Sequence, residues 1–259
     1  MKDLLDDLAA EHEDLDTLVS GLPAADWDLT TPAEPWTIRD QIGHLAFFDE
    51  KAALSARDAD GFAADMNTIA TIGIDAYMGQ HIERGRAGSP AELLAWWRRA
   101  RSELLEALAA CDPEERLLWY GPPMRAASSA VARLMETWAH GLDVADTLGI
   151  RRPPTDRLFR VADLGVRTFR FAFENRNLPA PPTRVRVALR GVTGNLRVWN
   201  DECADSVTGP VEDFCMAIAQ RRHFSDTHLV CEGPIAREWM DIAQVFAGPP
   251  GAGRGPRRP

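Results

Sequence analysis

Chemistry in this chain starts with its six histidines. His140 lies four residues after Glu136 in the stretch RLMETWAHGLD. At that spacing a helix projects both side chains from one face, within reach of one metal ion. A carboxylate and an imidazole suit Zn²⁺, our first choice, and neighbouring divalent ions. His44, in a separate helical stretch, is the best third ligand. Two imidazoles and one carboxylate leave coordination positions open, as catalytic centres do and closed structural ones do not. The competing reading is a plain solvated ion pair. Val131, Leu134, Met135, Trp138 and Leu142 form the apolar stripe of the same helix, and Glu136 and His140 fall on its other side, near Arg133 and Asp143. A metal centre there requires that helix to be buried on two faces.

The remaining candidates are weaker. His12 sits inside an apolar stripe and reads as core or cavity wall. His81, His223 and His228 have no partner in sequence. Asp49 and Asp143 either orient ligand imidazoles or are simply solvated. No HExxH, GxSxG, GxGxxG or Walker loop is present. Cys111 follows a helix end, where the negative pole of the dipole does not favour a thiolate. The four cysteines show no CxxC spacing and read as reduced, mostly buried thiols. Trp96-Trp97 and Trp119-Tyr120 read as packing, or as the wall of a ligand pocket.

These side chains need rigid elements. Residues 4–20 carry Leu4, Leu8, His12, Leu15 and Val19 at helical spacing. Thr37, with Asp40 three residues on, opens a second helix whose stripe is Ile38, Ile42, Leu45 and Phe48. Gly61 marks a break, and 63–84 is helical but weakly patterned. Ser89-Pro90-Ala91-Glu92 is the strongest helix start, running to about Cys111. A further helix spans about Ala127 to Leu148, stopped by Gly149. Arg151-Arg152-Pro153-Pro154 reads as a linker, and Thr155 begins one helix through Phe173. Alternation then replaces helical period: Val185, Val187 and Leu189 predict a strand, with others at 195–199, 204–208 and 228–231. Helices follow Gly209-Pro210 and Pro234. The fold class is α plus α+β: a four-helix bundle over 1–150, a small α+β domain over 151–247, and a flexible basic tail over 248–259.

The chain has 259 residues and a formal charge of −10. The acidic balance argues against nucleic acid, and no run is long and apolar enough for a membrane span. The N-terminal stretch MKDLLDDLAAEHEDLD lacks the pattern of a secretory signal, so the cytoplasm is the expected compartment. Only Lys2 and Lys51 are lysine among the 29 basic residues, which points to a GC-rich genome.

EPWTIRDQIGHLAFFDE and MRAASSAVARLMETWAHGLDVADTLG together resemble the DinB-like, mycothiol-dependent maleylpyruvate isomerase superfamily. The resemblance implies an N-terminal bundle holding one divalent metal through His44, Glu136 and His140, with Trp36 and Asp143 at the family's accompanying positions. The C-terminal half is similar to the family's small domain, related to sterol-carrier folds. SVTGPVEDFCMAIAQRRHFSDTHLVCEGPIAREWMDIAQVFAGPPGAGR is similar to a subgroup known only as metal-binding. The family places an arginine of the second domain in the site, and Arg221 and Arg222 are the two that match. The implied activity is isomerisation of, or thiol transfer to, a small electrophile, with mycothiol or a similar thiol as cosubstrate and an arginine gripping a substrate carboxylate. The GC-rich bias fits hosts of that thiol loosely. A thiol-independent metal hydrolase or lyase and a non-catalytic binder of an apolar ligand are the alternatives. Expected partners are the small thiol and substrate alone, in a monomer or homodimer.

Overall fold

The structure is a computed structural model that describes residues 1–251 and 253–256. It divides into two compact units, Met1–Arg152 and Pro153–Pro259.

Four long helices make the first unit: α1 (Lys2–Val19), α2 (Ile38–Arg57), α5 (Pro90–Ala110) and α6 (Ala126–Leu148). They pack in a ring, with α2 against both α5 and α6 and α1 closing the ring from α6 back to α5. Their starts follow from local chemistry. Thr37 accepts from the Asp40 amide while Asp40 accepts from the Thr37 amide, and Ser89 and Glu92 do the same at α5; each box satisfies amides that a helix start leaves open. Gly149, at φ +65°, ends α6 in the left-handed conformation that glycine adopts without a Cβ penalty. Ile38, Ile42, Leu45, Trp97 and Leu104 are wholly buried between the helices.

Two shorter helices, α3 (Ala59–Ile72) and α4 (Ile74–Ala87), return the chain from α2 to α5. Gly61 does not break a helix here. The break falls three residues earlier at Asp58, which caps α3 by accepting from the Gly61 amide, and a second break at Gly73, at φ +84°, divides the stretch read as helical over 63–84. Asp40 is fully buried and receives both Nε and Nη2 of Arg86, at 2.8 and 2.7 Å, which fastens the end of α4 to the start of α2. A two-stranded ribbon, β1 (Arg116–Leu117) and β2 (Met124–Arg125), occupies what the sequence reads as a loop.

The second unit begins with α7 (Leu158–Arg167) and α8 (Phe169–Glu174). The single helix read from Thr155 to Phe173 is therefore two, divided at Thr168, whose hydroxyl bonds back to the Gly165 carbonyl at 3.0 Å. Strands β3 (Arg186–Arg190), β4 (Leu196–Trp199), β5 (Ser206–Pro210) and β6 (Val230–Glu232) form one mixed sheet in the order β4-β3-β5-β6. The central pair, β3 and β5, is parallel, and both edge strands are antiparallel to their neighbours. Val187, Leu189 and Val207 are wholly buried, and α9 (Val211–Ile218) packs on β3, β5 and α7. The last helix, α10 (Pro234–Ile242), contacts α8 and β6. Of the stretch read as a flexible tail, Ala252 and Arg257–Pro259 lie outside the described residues. The carbonyls of Gly248 and Gly251 accept from Asn175 and Arg176, at 3.1 and 3.0 Å. All four cysteines are free, and only Cys215 is buried, so the expectation of mostly buried thiols fails. Among the described residues no helix is long and apolar enough to cross a membrane.

Gly43 sets the approach of α4 to α2. A Cβ there would stand 3.1 Å from the His81 carbonyl oxygen and 3.4 Å from the Gly85 Cα. Gly43→Val is expected to force the helices apart and cost about 1–3 kcal/mol. Gly79→Ala, where a Cβ meets nothing within 4 Å, should stabilise α4 by about 0.5–1 kcal/mol. Urea midpoints at constant slope measure both; equal midpoints for the two variants would contradict the close-approach account.

Candidate metal centre

Helix α6 is buried on two faces, as a centre on its Glu/His side requires. Its apolar stripe packs in the core, and Arg133, Thr137, His140 and Asp143 on the other side are buried as well. The solvated-pair reading therefore fails. Asp49 and Asp143 are wholly buried, not solvated.

The seam between α2 and α6 brings His44, Glu136 and His140 together, with one ligand atom from each within 4.8 Å of the others. Glu136 Oε2 lies 3.0 Å from His140 Nε2 and 3.5 Å from His44 Nε2. Second contacts fix the tautomer of His140. The Thr31 hydroxyl donates to the Trp36 carbonyl at 2.8 Å, so its oxygen accepts from Gln41 Nε2, also at 2.8 Å. That orients the Gln41 amide with Oε1 toward His140 Nδ1, in a short hydrogen bond. Nδ1 then carries the proton, and the lone pair of Nε2 points at the Glu136 carboxylate. An acceptor facing an acceptor needs a proton or a cation between them. Two nitrogen donors and one carboxylate oxygen suit a divalent ion of the Zn²⁺ type, so the residues present fit the metal that the sequence predicts.

Rings enclose the cluster. Trp36 stacks on His140 at 5.8 Å with planes 16° apart and lies 5.2 Å from His44. Phe48 lies 4.6 Å from His44, and His81 on α4 meets His44 edge-on at 5.1 Å. Burial, then the charge of His140, lowers the pKa of His44 to about 4. Burial, then His44, does the same for His81. Burial alone would raise Glu136, but the facing imidazoles of His140 and His44 hold it well below the usual carboxylate range. A neutral His44 beside an ionised Glu136 matches the protonation states a metal requires.

Gln41 and His81 escaped the sequence reading. Gln41 stands three residues before His44 on the same helix, and that spacing was the available signal. His81 had none, because a fold contact alone brings it to the cluster. His12 is buried with its Nε2 3.9 Å from Asp49 Oδ2. His223 Nδ1 contacts the Ser225 hydroxyl at 2.7 Å, and His228 Nδ1 contacts Asp213 at 3.0 Å. Arg221 and Arg222 belong to the second unit, just after α9. There Arg221 Nη1 donates to the Ala219 carbonyl at 2.9 Å and Arg222 Nη1 to the Arg221 carbonyl at 2.7 Å.

Comparison with known proteins adds three findings. Residues 8–145 match the profile of the family described as the mycothiol maleylpyruvate isomerase N-terminal domain. An uncharacterized protein from two strains of Mycobacterium tuberculosis is 49% identical over 249 residues, covering 96% of each chain. Crystal structures of a mycothiol-dependent maleylpyruvate isomerase and of its histidine-to-alanine variant align with a TM-score of 0.60 at 15% identity, covering 90% of this chain and 94% of theirs. At that identity they establish a shared fold.

His44 and His81 stay neutral down to about 4, against an ordinary value of 6.5. Between those values the unfolded chain binds more protons than the folded one, so stability is lost as pH falls. The melting temperature of the metal-free protein should therefore drop from pH 6.5 toward 4, less steeply in His81→Phe. A wild-type melting temperature that stays flat through that window would contradict these burial shifts.

Proposed function

The chain belongs to the mycothiol maleylpyruvate isomerase N-terminal domain family, and from that premise we propose that it is a metal-dependent enzyme using a small thiol of the mycothiol class. It isomerises a small unsaturated acid or transfers the thiol to a small electrophile. The carrying observation is the convergence of His44, Glu136 and His140 within 4.8 Å in the seam between α2 and α6.

Each residue has a part. Glu136 and the two imidazoles hold a divalent ion, Zn²⁺ by preference. When bound, that ion favours the thiolate over a free thiol whose pKa is about 8.5. Gln41 fixes the His140 tautomer so that Nε2 offers its lone pair inward. Trp36, Phe48 and His81 wall the cluster with rings and keep water away from a thiolate. One carboxylate against a divalent charge leaves a net single positive charge, which one thiolate neutralises. Arg221 or Arg222 serves as the grip for a substrate carboxylate through a two-pronged guanidinium contact.

Wild-type protein is expected to hold about one zinc per chain, and His44→Ala and Glu136→Ala to lose most of it by elemental analysis after dialysis. Full retention in both variants would overturn the site. With maleylpyruvate and mycothiol, Arg221→Met or Arg222→Met should raise KM by about tenfold or more while leaving zinc content intact. Wild-type turnover that is indifferent to thiol would overturn the thiol-dependent reading.

A further inference from the structure

Below the metal cluster the same seam carries a second polar contact. Arg133 Nε donates to Asp49 Oδ1 at 2.8 Å, and both side chains are buried, at 4% and 0% exposure. Arg133 stands three residues before Glu136 on α6, and Asp49 five residues after His44 on α2. The seam is therefore a ladder of three cross-links, about a turn apart and running in opposite senses along the two helices: Gln41 with His140, His44 with Glu136, Asp49 with Arg133.

This lowest rung is poorly built as a stabiliser. Desolvating two charges offsets most of their attraction. Asp49 Oδ2 and Arg133 Nη2 are buried and make no hydrogen bond. Burial outweighs Arg133 and raises the Asp49 pKa, which marks the cost of keeping that carboxylate dry. What a planar guanidinium on a buried carboxylate does well is fix rotation and translation between two helices. Apolar side chains of similar volume slide past one another more freely.

We propose that Asp49 and Arg133 are a positioning pair: they set the register of α2 against α6, and with it the placement of His44 relative to Glu136 and His140. The proposal rests on the reading of that cluster as a divalent-metal site, where ligands displaced by a fraction of an ångström lose affinity.

The test titrates the full-length, metal-free protein with Co²⁺, reading affinity and the visible ligand-field spectrum. Asp49→Leu/Arg133→Met removes both charges together and leaves neither uncompensated. The double variant should keep a wild-type melting temperature, yet bind Co²⁺ about tenfold or more weakly with an altered spectrum. Asp49→Asn keeps the side-chain volume and covers the case in which the double variant does not fold; its affinity should also fall. Wild-type affinity and spectrum in either folded variant would overturn the positioning role. If wild-type protein binds no Co²⁺, the metal reading fails instead, and imidazole nitrogen shifts decide the pair. Shifts of His44 and His140 that match wild type in a folded variant overturn it, and displaced shifts support it.

Discussion

A half-buried carboxylate between two imidazoles, one of them buried, is the constraint around which the first unit is arranged. Burial by itself pushes the Glu136 pKa up, and His44 and His140 facing it bring it well below the usual carboxylate range. Polar groups placed out of water must find partners or lose stability, and around His140 the seam supplies them in sequence. Gln41 takes the outer nitrogen of His140, Thr31 takes the amide of Gln41, and the Trp36 carbonyl takes the Thr31 hydroxyl. The helix starts serve the same end. Asp40 completes the capping box of α2 and receives Arg86 from α4, so one buried carboxylate fixes both the origin of the ligand-bearing helix and the helix that brings His81.

The rest of the bundle is what makes such a seam tolerable. Helices α1 and α5 complete the ring beside α2 and α6 with apolar side chains, and aromatic rings flank the cluster. The result is a largely buried polar strip inside an apolar frame, where charges interact more strongly than in open water. Affinity for a cation then comes from shape and charge already in place. The close approach at Gly43 and Gly85 belongs to this economy of space, since α4 must lie almost on α2 for His81 to reach His44.

Much of this was legible before the fold was. Capping residues at Thr37 and Ser89, the stop at Gly149 and the alternating run from Val185 marked their elements, because each acts over a few residues. Glu136 and His140 were legible as a pair because helical geometry fixes their spacing. Local pattern misplaces two breaks by a few residues: the turn expected at Gly61 falls at Asp58, and the helix expected over 155–173 divides at Thr168, each settled by a contact three residues away. The burial of Asp49 has a different origin, because its partner Arg133 lies across the seam and leaves no local mark.

By itself the sequence determined the local facts: where helices start and stop, which face of each is apolar, that four residues separate a carboxylate from an imidazole, and, by resemblance, which family to compare. Tertiary structure decided whether that pair met water or a third ligand. Spacing along one helix is set by its own hydrogen bonds. The partner across the seam is chosen by how α2 packs against α6, a long-range contact that no local pattern encodes. That packing brings Gln41, His44 and Asp49 opposite His140, Glu136 and Arg133, and gives a plausible surface ion pair a third donor.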